Sequence, residues 1–131
     1  MKTRMIKQKV AFLASAHDVY EALMDSKKHA SFTGGAAKIS RKVGGSFSVF
    51  DGYAVGKNIE LIEDQKIVQA WRASDWEEGV ISEVSFILHH TKSGCNLEFT
   101  HKGVPSEQFT SIKQGWVDFY WIPMKELLKK D

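Results

Sequence analysis

The chain opens on an alternation. From Met5 to Ala14 the apolar residues Ile6, Val10 and Phe12 share one parity while Lys7 and Lys9 take the other. The period is two, which predicts a strand with one wet face. The period then lengthens. Ser15 stands ahead of Ala16, His17 and Asp18 as an N-cap with an acid at the third helical position, and Val19, Tyr20, Leu23 and Met24 recur at helical spacing. A short second helix is expected from Asp25 to Phe32.

The next stretch, GGAAKISRKVGGSFSVFDGYAVGKNIELIEDQK, is punctuated by Gly34-Gly35, Gly44-Gly45 and Asp51-Gly52. Short apolar runs between such breaks predict a meander, with strands over Ser46 to Phe50, Tyr53 to Ile62 and Lys66 to Ala73. Asp-Gly suits a tight hairpin because both central residues of a type I′ turn need positive φ. The final pair of strands is the clearest. In VISEVSFILHH the even row is Val80, Ser82, Val84, Phe86, Leu88 and His90, and in GCNLEFTHK the odd row is Cys95, Leu97, Phe99 and His101. Each strand has one dry face, and Lys92-Ser93-Gly94 joins them as a hairpin.

From Gly103 to Lys130 the pattern predicts one long closing helix. Phe109, Ile112, Trp116, Phe119, Tyr120, Pro123 and Leu127 form a stripe at spacings of three and four, and Trp121, Met124 and Leu128 form a second. Pro123 lacks an N–H and crowds the preceding turn, so a bend is expected near Trp121 or Ile122. Gly115 beside Trp116 is expected to allow close approach to a neighbouring element. An antiparallel sheet with one apolar face must cover that face, and only this helix is long enough. The fold class is therefore α+β, a curved antiparallel sheet wrapped around a long C-terminal helix, with two short helices after the first strand. A gap between sheet and helix is expected to be apolar, with His101 and Tyr120 at its mouth. The plainer reading is that these aromatics fill the core.

Composition narrows the function. The 131 residues are 43% hydrophobic and 26% charged, as expected of one globular domain over 1–131. Lys and Arg total 18 against 16 acids, scattered without a basic block, which argues against nucleic acid as a partner. A single cysteine, Cys95, forms no internal disulfide, and the first residues lack a signal-peptide apolar run, so a cytoplasmic setting is expected. No window approaches the roughly 18 apolar residues of a membrane helix, so no membrane association is expected.

Catalytic chemistry finds little support. The five histidines show no metal-ligand spacing, and neighbouring His89 and His90 point to opposite faces of a strand. There is no GxSxG, P-loop or CxxC, and Cys95 falls on an inward row as an inert buried thiol. Neither a cofactor nor a catalytic residue is expected, and the chain reads as a non-enzyme. The loop SDWEEG places Asp75, Glu77 and Glu78 around Trp76. An exposed tryptophan flanked by acids makes a candidate contact point for a partner.

Three elements together carry a family resemblance: WR-x-S-x-W-x-E-G at 71–79, GVP-x-E at 103–107, and Gly115-Trp116 within the helix. With the surrounding strands they make nearly the whole chain resemble the carboxy-terminal domain of the activator of the ninety-kilodalton heat-shock protein's ATPase. That domain belongs to the START-like, helix-grip superfamily. The resemblance implies an antiparallel sheet gripping the terminal helix, with a cavity between them. In the activator this domain accompanies an amino-terminal domain for which 131 residues leave no room, so only the weaker contact with the chaperone's dimerised nucleotide domains is expected.

Two functions follow from these readings. In the first, the chain is a co-chaperone-like module that touches a heat-shock protein 90 type chaperone through Asp75, Trp76, Glu77 and Glu78 and the glycine-rich segment. In the second it carries a small lipophilic or aromatic ligand in a cavity lined by Trp71, Phe86, Leu88, Phe99, His101, Trp116 and Tyr120.

Overall fold

The computed structural model describes residues 2–129. Strand β1 (Thr3–Phe12) leads to helices α1 (Ala16–Met24) and α2 (Ser26–Thr33). Strands β2 (Lys38–Ile39), β3 (Ser46–Val49), β4 (Ala54–Ile62), β5 (Lys66–Ala73), β6 (Ser82–Thr91) and β7 (Gly94–Pro105) follow. A 3-10 turn at Ser106–Gln108 then enters the terminal helix, whose α-helical parts are α3 (Phe109–Trp116) and α4 (Ile122–Leu127). The seven strands form one antiparallel sheet in the order β1-β7-β6-β5-β4-β3-β2.

Local chemistry sets the starts and stops. The Ser15 hydroxyl accepts the Asp18 N–H at 3.1 Å, which caps α1 as its sequence predicts. Asp25 closes α1 through its N–H to the Glu21 carbonyl and opens α2 by accepting the Lys27 N–H at 3.2 Å. One residue thus serves two helix ends.

The β6–β7 pair has the dry face that its alternation predicts. Phe86 lies opposite Phe99, Leu88 opposite Leu97 and Val84 opposite His101, all buried. Burying each of the larger apolar side chains contributes about 1.5–3 kcal/mol. The row ends at Leu88, and His90 is exposed. Strand β4 departs from strict alternation because its pairing with β5 shifts between Asn58 and Glu60. Ile59 is pushed out to 47% exposure, and Asn58 turns inward to donate to the carbonyls of Ser40 at 2.7 Å and Lys42 at 3.0 Å. The Gln69 amide donates to Asn58 Oδ1 at 3.0 Å, which completes a buried polar network.

The terminal helix differs from its sequence expectation in three ways. Its first residues belong to the sheet: Val104 pairs with Arg4 and Pro105 with Thr3, so GVP ends β7 and the α-helix begins only at Phe109. The irregularity expected near Trp121 or Ile122 takes the form of a π-helical turn over Val117–Trp121, in which the Ile122 N–H reaches back five residues to Val117. The Val117 N–H bonds to Gln114, and the Gln8 side-chain amide on β1 donates to the Lys113 carbonyl at 3.2 Å. The same Gln8 accepts the Trp121 indole N–H at 2.7 Å, so one side chain on the sheet ties α3 and the end of the wound turn together. The stripe also rotates. Tyr120 and Trp121 are both buried although adjacent, while Phe119 is 53% and Leu127 45% exposed.

Candidate binding groove

At one end of the terminal helix the sheet and helix do not close. Phe50 and Tyr53 from the β3–β4 turn, Trp71 from β5, and Ser111, Ile112, Gly115, Trp116, Phe119 and Tyr120 from the helix line a groove of about 340 Å³. The turn that forms one wall is conformationally expensive. Phe50 and Asp51 have φ of 53° and 56°, a left-handed pair of non-glycine residues, followed by Gly52 at 91°. Val49 pairs with Ala54, so four residues make the connection where Asp-Gly alone had suggested two. Asp51 is held by Ala36, which donates its N–H to Oδ1 at 2.9 Å and accepts the Asp51 N–H at 3.1 Å. Gly35 is required beside it, because a Cβ there would stand 2.8 Å from the Phe50 Cα. The Phe50 ring thereby meets Phe119 and Tyr120 edge-on, with centroids 5.6 and 5.7 Å away.

Gly115 acts differently from the sequence expectation. A Cβ at this position meets only Phe119, at an ordinary 3.8 Å. No neighbouring backbone needs the space, and the missing side chain deepens the groove.

Behind the groove the helix is tied to the sheet by a closed chain of hydrogen bonds. The Trp116 indole donates to His101 Nδ1 at 3.1 Å, His101 Nε2 meets Ser82 Oγ at 2.7 Å, and Ser82 donates to the Trp71 carbonyl at 2.8 Å. Because the indole can only donate and the Ser82 proton is already used, His101 carries its proton on Nε2 and is neutral. Burial pushes its pKa down to about 3. His101 is fully buried in this chain, which corrects its expected place at a cavity mouth.

A second histidine lies under the same helix. His29 Nε2 meets the Tyr120 hydroxyl at 2.9 Å, but the buried Nδ1 has no hydrogen-bond partner among the described residues. Burial lowers the His29 pKa to about 4 and raises that of Tyr120. His29, Gln69 and Tyr120 border an inner space of only about 20 Å³, about enough for one water molecule. Trp71, Trp116 and Tyr120 line both this space and the groove and form the wall between them.

The residues expected to line one cavity thus separate into two sets. Trp71, Trp116 and Tyr120 reach the groove. Phe86 borders the inner space, while Leu88, Phe99 and His101 are buried among their neighbours. Phe99 packs on Trp116, Trp121 and Phe86 with centroids 4.5 to 5.2 Å away.

The SDWEEG loop needs a correction. Trp76 is 6% exposed and packs edge-on against Trp71 at 5.4 Å, so it is part of the core and not an exposed contact. Arg72 explains why. Its guanidinium donates to the carbonyls of Glu77 (2.6 Å), Trp76 (2.8 Å) and Val80 (3.1 Å), folding the loop back over the sheet end. The acids remain outside: Asp75, Glu77 and Glu78 are exposed. The Ser74 N–H donates to the Tyr53 carbonyl at 2.6 Å, so this loop adjoins the groove's hairpin wall.

Phe50, Tyr53, Ser111, Ile112, Gly115, Phe119 and His29 were not anticipated as site residues. The signal for two of them was present in FDGY, where aromatics flank the turn. Among the described residues no group of three His, Cys, Asp or Glu is placed to hold a metal ion, and no helix is long and apolar enough to cross a membrane.

An antiparallel sheet that grips a terminal helix and leaves an aromatic groove between them defines a helix-grip protein. Residues 13–129 match the model of the family described as activator of Hsp90 ATPase homolog 1-like protein, and the chain belongs to that family. The activator of 90 kDa heat shock protein ATPase homolog of Dictyostelium discoideum is 32% identical over 115 residues, covering 87% of this chain and 30% of the relative. Human activator of 90 kDa heat shock protein ATPase homolog 1 is 26% identical over 124 residues, covering 95% of this chain and 37% of the relative. The chain thus spans about a third of the length of these curated relatives. In structure it is similar to an HSP90 activator from Plasmodium falciparum, with a TM-score of 0.87, 24% identity, and coverage of 98% of this chain and 96% of that one.

Proposed function

We propose that this chain is a non-catalytic binding module that makes a co-chaperone-like contact with an Hsp90-type chaperone. The observation that carries the reading is its match, over 87% to 95% of its length, to proteins named as activators of that chaperone's ATPase. The geometry supplies a surface for such a contact. Exposed Asp75, Glu77 and Glu78 sit on a loop that Arg72 holds in one shape, beside half-exposed Tyr53. A preformed loop loses little entropy on binding. The test is calorimetric titration of the chain into the host's chaperone with nucleotide present, alongside its ATPase rate. Binding that weakens in the triple variant Asp75→Asn, Glu77→Gln, Glu78→Gln is the expected result. A silent titration and an unchanged rate at any excess would refute it.

A second reading, carriage of a small lipophilic ligand, draws support from the groove. Its volume of about 340 Å³ lies at the low end of known ligand sites, roughly 300–1,000 Å³, whereas the inner space of about 20 Å³ holds no organic molecule. Quenching of Trp71 and Trp116 fluorescence by lipophilic aromatic compounds, lost in Gly115→Leu, is its expected signature.

A further inference from the structure

The groove has a chemical character that neither reading uses. Its nine lining residues include no charged side chain, and six are aromatic. The two loops beside it are one-sided in charge. The tip FDGYA at 50–54 and the loop SDWEEGV at 74–80 carry Asp51, Asp75, Glu77 and Glu78 and no Lys or Arg, although the chain as a whole is at +2. Asp51 is occupied by the Ala36 N–H. The carboxylates of Asp75, Glu77 and Glu78 make no hydrogen bond or ion pair among the described residues. Arg72 offsets part of this charge from beneath, but among the described residues its hydrogen bonds go to loop carbonyls, so it does not neutralise the outward face. The Asp75 charge also contributes to raising the Tyr53 pKa, after burial, so the negative field reaches the groove wall.

The walls of the groove are partly exposed. Phe119 is 53% and Tyr53 39% exposed, and Ile122, 59% exposed, extends the apolar surface past the groove's end. Sites for small ligands bury most of the ligand, whereas an aromatic centre poor in charge with a polar rim is the anatomy of a protein contact.

We propose that the groove between the Phe50–Tyr53 turn and the terminal helix receives a large apolar side chain from a basic segment of a protein partner, whose flanking cations meet Asp75, Glu77 and Glu78. The inference rests on the chaperone-contact reading and adds the surface and the chemistry of the segment that binds. Phe50 and Asp51 fit this role: a costly left-handed pair holds one wall open in advance, so the partner does not have to order it.

The test uses two octapeptides without tryptophan, KKSFLSKK and EESFLSEE, titrated into the intact chain and followed by Trp fluorescence and amide chemical shifts. The Lys peptide is expected to bind, with shifts at Tyr53, Gly115 and Phe119, and the Glu peptide to bind at least about tenfold more weakly. Gly115→Leu fills the groove at a position where its first atom meets only Phe119, so it keeps the fold and lowers Lys-peptide affinity by about tenfold or more. Gly115→Ala, which barely intrudes, checks that the loss comes from filling. The triple acid variant is expected to lower affinity for the Lys peptide alone.

Equal binding of the two peptides, or binding indifferent to Gly115→Leu, would overturn the proposal. Self-association of the wild type that Gly115→Leu abolishes would overturn it in favour of a second copy as occupant. Chaperone binding untouched by Gly115→Leu would sink the groove inference and leave the chaperone reading intact. Peptide binding in the groove without any chaperone binding would do the reverse.

Discussion

Two histidines lie under the terminal helix, and they differ in one respect. His101 has both ring nitrogens bonded, to the Trp116 indole and the Ser82 hydroxyl, and the chain of bonds ends on a backbone carbonyl. His29 has one nitrogen on the Tyr120 hydroxyl and the other without a partner among the described residues. The satisfied histidine belongs to tight packing between sheet and helix. The incompletely satisfied one lies where packing loosens, next to the left-handed Phe50 turn, the π-helical winding and the groove. Both ring nitrogens of His101 are bonded at the anchor, whereas among the described residues the Nδ1 of His29 and the indole nitrogen of Trp76 are buried without a partner.

The largest expected effect tests the anchor. Trp116→Ala removes the ring between Phe99, Trp71 and His101 and the donor to His101, and is expected to cost about 3–5 kcal/mol in denaturant unfolding. A loss under about 1 kcal/mol would mean that the anchor is not a core.

Acid probes both histidines together. Each has a folded pKa, about 3 and about 4, below its usual value of 6.5. The unfolded chain therefore binds the extra protons first as pH falls. The stabilisation from neutral burial is present above about pH 6.5, declines as pH drops, and levels off near pH 4 for His29 and near pH 3 for His101. The total is on the order of a few kcal/mol, and a Tm flat between pH 7 and about 4 would contradict it.

The contrast between the two sites sharpens in substitution. His101→Leu strands the Trp116 indole and is expected to cost about 1–3 kcal/mol. The double variant His29→Leu, Tyr120→Phe removes both partners of the other pair together with the orphan nitrogen, and is expected to change stability by less than about 1 kcal/mol. Equal costs would erase the distinction drawn here. The smallest effect is at the groove: Gly115→Ala adds a methyl that meets only Phe119 and is expected to raise stability by about 0.5–1 kcal/mol, read as a rise in Tm.

Much of the architecture was legible in the sequence because periodicity reports which face is dry. The alternation in β6 and β7, the Ser15 cap and the Val19 to Met24 helix follow directly from it. The groove was not legible, because it depends on departures from period. The positive φ of Phe50 leaves no mark in hydrophobicity, and the π turn re-aims Phe119 outward from a stripe that α-helical spacing would bury. The burial of Trp76 is hidden in the sequence for a related reason. Acidic neighbours signal an exposed loop, while the carbonyl bonds from Arg72 that fold it inward involve no side chain of the loop itself. His29 was overlooked because α2, SKKHASFT, is mostly polar and gives little sign of a buried face.

The groove face of the helix, and not the hydrogen-bonded anchor behind it, is the surface that meets the partner. Amide and indole chemical shifts of the labelled chain, recorded during titration with the host's Hsp90-type chaperone and nucleotide, test it most directly. Shifts are expected at Phe50 to Tyr53, Asp75 to Glu78, Gly115 and Phe119, with the amides of Ser82 and His101 unmoved. Shifts confined to β1 or the outer face of β6 and β7, with the groove residues silent, would contradict it.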